Sequence, residues 1–209
     1  ANTCPSIDLT VNAGVVLQVN GVLTCRNLTV NGTLNLGDDQ SDNLIVHGNI
    51  QVNGNWISPS APGSLSFHGD AAQSVSGGVI SVNNADITNQ AGVTLNNTRL
   101  DIRYNLAITD TGVLNTNGRL RLVSNANNTG EIQSLEAGTI NGTVQVFRYR
   151  PAVGAGWVNL CTPVAGATIA EWNDDIITTG FPGSDSPDWP SASNRYVSIK
   201  WYNELLPGT

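Results

Sequence analysis

The chain reads as an all-β protein: a right-handed parallel β-helix, or solenoid, followed by a small Trp-rich β-sandwich-like module. Three observations predict this. The first is an eleven-residue echo in which Leu17, Val19, Gly21 and Leu23 recur as Leu28, Val30, Gly32 and Leu34, then twenty-two residues later as Ile50, Val52, Gly54 and Trp56. Apolar residues two apart share one face of a strand. A fixed period of this kind marks a solenoid, whose units bury their apolar faces only against their neighbours. The second is the pair Asn-Gly at the same place in each copy, Asn20-Gly21, Asn31-Gly32 and Asn53-Gly54. Both residues tolerate the positive φ of sharp corners. The third is composition: charged residues make up 12% of the chain, against about 25% in ordinary globular domains. Asn, with 26 residues, and Gly, with 22, take their place.

An antiparallel arrangement would use each Asn-Gly as a hairpin turn. Two features favour the coil. The copies repeat in one orientation, and apolar parity runs straight through the glycine, as in Val30, Gly32 and Leu34. Residues 1–138 are therefore expected to form about six turns. Alternation is clean from Leu28 to Leu36 and from Val46 to Trp56, and it returns in Leu100, Ile102, Tyr104, Leu106 and Ile108 and again in Leu114, Gly118, Leu120 and Leu122. The loop from Gly37 to Asn43 breaks the eleven-residue register and is expected to project. Pro59 and Pro62 mark a loop or sheet edge. From residue 139 the composition changes. Trp157, Trp172, Trp189 and Trp201 fall there, as do six of the nine prolines, and only Thr143 to Arg150 still reads as a strand. Residues 139–209 are expected to be a second β-module built on a Trp core.

Charge excludes some partners. The net charge is −7 and Lys200 is the single lysine, so the basic stripe of a nucleic-acid binder is missing. Arg119/Arg121 and Arg148/Arg150 each share a strand face, as solvated residues or as an anion site. No run of about 18 apolar residues is present to cross a membrane as a helix. Ala1 reads as a mature terminus left by signal-peptide cleavage, which predicts secretion. Cys4 and Cys25 lie 21 residues apart, close to one turn of coil. Neighbouring strands are about 4.8 Å apart, within disulfide range. A bond sealing the first turn in an oxidising compartment is expected, the other reading being two buried thiols. Cys161 reads as an apolar filler.

Chemistry is sparse. Asp38, Asp39 and Asp42 place three carboxylates in one loop, a candidate calcium site or a solvated acidic loop. His47 and His68 are expected to stack, as structural histidines or as two ligands of a metal. Glu171, Asp174 and Asp175 flank Trp172, and Asp185 and Asp188 precede Trp189, which suits a sugar-binding surface as well as a core. Glycoside hydrolysis would need two convergent carboxylates; Asp86, Asp101 and Asp110 are available, but nothing in their spacing selects them. No Gly-x-Ser-x-Gly elbow occurs, and Thr residues form no regular array. No enzyme is expected, with a polysaccharide-binding or polysaccharide-degrading β-helix as the alternative. No cofactor is expected apart from calcium.

Five phrases carry a resemblance. They are Phe67-His68-Gly69-Asp70-Ala71-Ala72-Gln73-Ser74-Val75-Ser76-Gly77, Ala91-Gly92-Val93-Thr94-Leu95-Asn96-Asn97, Gly112-Val113-Leu114-Asn115-Thr116-Asn117-Gly118, Gly138-Thr139-Ile140-Asn141-Gly142-Thr143-Val144, and Gly156-Trp157-Val158-Asn159-Leu160. They resemble phrases of secreted β-solenoid surface proteins of the Bacteroidota, of the adhesin type exported by type IX secretion. The resemblance implies a solenoid stalk leading into a small β-rich domain and carries no catalytic residues. The expected function is that of an extracellular structural or adhesive protein. It would be a monomeric adhesin module that meets a surface glycan or protein, or a filament or sheath subunit that meets other copies of itself.

Overall fold

A computed structural model of the chain describes residues 6–59, 63–149, 168 and 176–200. No helix occurs among the described residues. Each of the first three turns has three strands. These are β1 (Leu9–Val11), β2 (Val16–Val19) and β3 (Val22–Cys25), then β4 (Leu28–Val30), β5 (Thr33–Leu36) and β6 (Asn43–Val46), then β7 (Ile50–Val52), β8 (Asn55–Ile57) and β9 (Ser64–Phe67). The next two turns have one short and one long strand: β10 (Gln73–Gly77) with β11 (Val79–Ile87), and β12 (Val93–Asn96) with β13 (Arg99–Ile108). A sixth turn holds β14 (Val113–Asn115), β15 (Leu120–Leu122) and β16 (Glu131–Ser134), and β17 (Thr139–Asn141) and β18 (Val144–Val146) begin another.

Every strand ladder between turns is parallel, and one isolated antiparallel bridge joins Ser76 to Asn97. One sheet runs β1-β4-β7-β10-β12-β14-β17, a second runs β3-β6-β9-β11-β13-β15-β18 with β16 beside β13, and the third is β2-β5-β8. The echo in the sequence is thus a strand followed by a corner. Its second and third copies lie one full turn apart, with Leu28 beside Ile50 and Val30 beside Val52 and Leu34 beside Trp56. Its first copy sits on a different face, with Leu17 beside Leu34. The eleven-residue period is a fraction of the winding, and the winding itself is what stacks.

The interior is a continuous apolar column. Leu44, Val46, Leu65, Phe67, Ile87, Leu106 and Ile108 are all fully buried, and register places them over one another on successive turns. Burial at roughly 25 cal/mol per Å² of apolar surface is the main stabilising term, while the parallel ladders satisfy the backbone polar groups. Several buried positions are polar, Gln73 and Asn89 among them. Gln73, 2% exposed, donates to the carbonyls of Val46 and Gly48 at 3.0 and 2.6 Å and accepts from Gly69 N–H and Asn89 Nδ2. Asn89, equally buried, donates also to Ala71 O. The pair locks the corner that follows β9.

The corner glycines depart in part from expectation. Gly21 has φ 75°, as a sharp corner predicts. Gly32 and Gly54 are not in the left-handed region. They are required by close approach: a Cβ on Gly54 would overlap the Gly32 carbonyl oxygen, and one on Gly32 would overlap the Asn12 carbonyl.

The coil does not stop at residue 138. Leu114 pairs with Ile140 in β17, and Leu120 and Leu122 pair with Val144 and Val146 in β18. The compact unit runs to Gly154, and a second comprises residues 155–209. The composition change near residue 139 precedes the end of the winding because two more apolar strands suffice to cover the turn below. In the second unit Pro190–Ser191 (β19) pairs antiparallel with Asn194–Arg195 (β20). Of its four Trp only Trp189 is described. It is 54% exposed and meets Tyr196 edge to face, with ring centroids 5.9 Å apart. Trp157, Trp172 and Trp201, on which the expected Trp core also rests, lie outside the described residues, as do Cys161, Glu171, Asp174 and Asp175. Cys4 lies outside them too. Its expected partner Cys25 is buried at the end of β3, where burial pushes the thiol up to about 11.

Candidate functional site

The abundant Asn forms ladders along the corners. Asn53 Nδ2 donates to Asn31 Oδ1 at 2.8 Å, Asn141 Nδ2 to Asn115 Oδ1 at 3.0 Å, and Asn115 Nδ2 to Thr94 Oγ1 at 3.2 Å. At another corner each side-chain oxygen accepts from the backbone of the next turn: Asp8 Oδ1 from Asn27 N–H, Asn27 Oδ1 from Asn49 N–H, and Asn49 Oδ1 from Ser74 N–H. Asp8 also accepts from Arg26 Nε and Nη2, at 2.8 and 2.7 Å. Those bonds hold its carboxyl well below the usual carboxylate range.

The acidic loop does not gather its three carboxylates. Asp38 and Asp39 are exposed, whereas Asp42 turns inward to 4% exposure, so the base of the loop is folded against the coil. Asp42 Oδ1 accepts from Gly21 N–H at 2.5 Å and its Oδ2 from Asp39 N–H at 3.0 Å. Asp39 accepts from the backbone and hydroxyl of Ser41, which lowers its pKa. Both Asp42 oxygens are thus occupied by N–H groups across the corner. Among the described residues no three His, Cys, Asp or Glu side chains gather to hold a metal ion. Asp42→Ala is expected to leave two inward N–H groups unpaired and to cost about 1–3 kcal/mol. Urea titration measures this, and calcium is expected not to restore the loss.

His47 and His68 do stack. They follow Val46 and Phe67, which are paired in β6 and β9, and their ring centroids lie 6.1 Å apart, edge to face. His68 Nε2 is 3.5 Å from Asp86 Oδ2, and Thr109 Oγ1 donates to Asp86 Oδ1. Beside them lies an open depression of about 330 Å³ lined by His68, Asp70, Thr88, Gln90 and Asp110. Burial, with His68 as the next cause, lowers the pKa of His47. The unfolded chain therefore takes up a proton at this position before the folded coil does, and stability is lost as pH falls below about 6.5. The expected result is a melting temperature that declines from pH 7 to pH 5. His47→Gln flattens that decline.

Asp86, Asp101 and Asp110 are not a convergent set. Asp86 lies beside Ala107 and Asp101 beside Arg121, at opposite ends of the long strands, and Asp110 follows the end of β13. Asp101 instead belongs to a cluster on the outer face of the second sheet. Its Oδ1 lies 3.0 Å from Arg99 Nε and 3.7 Å from Arg121 Nε. Phe147, immediately after β18, lies over Arg121 with the guanidinium carbon 4.3 Å from the ring centroid, a cation–π contact. Arg148 Nη1 donates to Gly130 O and Phe147 O, and Arg103 Nη1 donates to Ser58 O at 2.7 Å.

The sequence treated Arg119/Arg121 as a pair on one strand. It missed that Leu100 stacks on Leu120, so that Arg99 and Arg119 become neighbours across the ladder. The roughly twenty-residue turn length was the available signal.

Comparison with known proteins adds no assignment: no family model, no curated protein and no solved structure matches this chain.

Proposed function

We propose that the chain is the scaffold of an extracellular adhesive protein, which displays polar corner ladders and the outer sheet face to a surface glycan and performs no catalysis. The observation that carries this reading is the parallel coil itself. Every turn repeats the position of its outward side chains, so contacts recur at the strand spacing of about 4.8 Å. A periodic rigid face binds an extended polymer with little ordering cost on the protein side. The Asn and Thr amide and hydroxyl groups along the corners suit sugar hydroxyls. The resemblance of its phrases to type IX secreted surface proteins of the Bacteroidota supports export.

The test is a glycan array probed with the full chain, paired with negative-stain electron microscopy. Dispersed single particles that retain a polysaccharide support the reading. Uniform polymers without glycan binding would replace it with a filament or sheath subunit, and turnover of a bound polysaccharide would replace it with an enzyme.

A further inference from the structure

Cations are few in this chain, and their placement is uneven. Of nine Lys and Arg, five arginines belong to one stretch of the outer face of the second sheet and its margin: Arg99, Arg103, Arg119, Arg121 and Arg148. Register explains the grouping. Leu100 and Leu120 pair, as do Asp101 and Arg121, and Leu100 N–H donates to Arg119 O. Alternation buries Leu100, Ile102, Leu120 and Leu122 and sends the residues between them outward.

One carboxylate, Asp101, is shared by Arg99 and Arg121. Arg119 is exposed and makes no ion pair among the described residues. Arg103 and Arg148 donate to backbone carbonyls and make no ion pair among the described residues. Arg121 is held from two sides, by Asp101 and by the Phe147 ring. Its Nε is buried without a hydrogen bond among the described residues. The guanidinium is therefore oriented before any ligand arrives, which reduces the ordering cost of binding.

We propose that this face, centred on Arg99, Arg119 and Arg121 with Phe147 beside them, binds an acidic polysaccharide through its carboxylate groups. The inference rests on the adhesive reading and names the ligand class for it. Planar guanidinium pairs carboxylate in a two-point fork, and Arg99 and Arg119 repeat at the strand spacing, which suits a polymer whose carboxylates also repeat. The exposed Phe147 ring, 42% exposed, offers an apolar surface beside the charges. The net charge of −7 repels any polyanion, an acidic polysaccharide included, outside this patch, so binding is confined to it.

The experiment is affinity electrophoresis and calorimetry of the full chain with polygalacturonate, with neutral dextran and single-stranded DNA as comparison probes. Polygalacturonate is expected to bind, more weakly as salt rises. Arg99→Gln/Arg119→Gln is expected to weaken it about a hundredfold, since each charge-assisted bond is worth about tenfold or more. Arg195→Gln, in the second unit, is expected to leave it unchanged. Both patch residues are exposed, and circular dichroism with a melting curve confirms that the variant is folded. Binding to dextran but not polygalacturonate would overturn this inference and leave the adhesive reading standing. Binding to neither probe, with an empty glycan array, would sink both. Equal binding of single-stranded DNA, or undiminished binding by the folded variant, would also overturn it.

Discussion

Phe67→Ala is expected to destabilise the coil by about 3–5 kcal/mol, the range for emptying a large buried aromatic site. Phe67 is the bulkiest fully buried side chain among the described residues. It sits between Val46 of the turn before and Ile87 of the turn after, so its loss opens a void that touches three consecutive turns. Backbone ladders on both sides hold those turns at fixed spacing and limit collapse into the space. Because each turn contacts only its neighbours, the loss is expected to be local. Hydrogen exchange should accelerate most around β6, β9 and β11 and least around β1 and β17. A uniform acceleration over all turns would contradict the nearest-neighbour picture. Chemical denaturation gives the free energy and exchange gives its distribution.

Gly54→Ala is expected to be nearly as severe, although it adds a single methyl group. At Gly54 the obstacle is backbone, the Gly32 carbonyl oxygen of the turn below, and backbone in a stacked ladder has no rotamer into which it can retreat. Gly54 N–H also donates to Val30 O at 2.9 Å, so displacing the corner breaks a bond between turns. Overpacking of this kind costs about 1–3 kcal/mol and occasionally more, and the upper end is expected here. Gly21→Ala is the useful comparison. A Cβ at Gly21 meets nothing within 4 Å, but φ is positive there, so only the smaller conformational penalty applies, about 1 kcal/mol. Parallel denaturant titrations of the two variants separate close approach from backbone conformation as the reason for corner glycine.

The winding was legible because alternation and repetition reinforce one another. Leu28, Val30 and Leu34 against Ile50, Val52 and Trp56 show both the strand face and the turn length. The stacked histidines followed from the same arithmetic. The continuation through β17 and β18 is hidden by the composition shift at residue 139, although Ile140, Val144 and Val146 keep the strand parity. The role of Asp42 was not legible at all. Its partners are the N–H groups of Asp39 and of Gly21, the latter a full turn away and not distinguished by any motif. The arginine patch was hidden for a related reason: neighbours across a parallel ladder are about twenty residues apart, and turn lengths in this coil vary.

Asn followed by Gly is ordinarily the weakest link of a protein over long times, because the glycine nitrogen attacks the asparagine side chain and closes a succinimide that opens to isoaspartate. At three of these steps in the coil the attacking nitrogens are engaged. Gly21 N–H donates to Asp42 Oδ1, Gly32 N–H to Val11 O and Gly54 N–H to Val30 O, while the Asn31 and Asn53 amides hold one another. Ring closure would have to break the winding first. Isoaspartate at these three sites should therefore accumulate only after unfolding, and a chain whose sequence looks prone to chemical ageing becomes a durable material once wound.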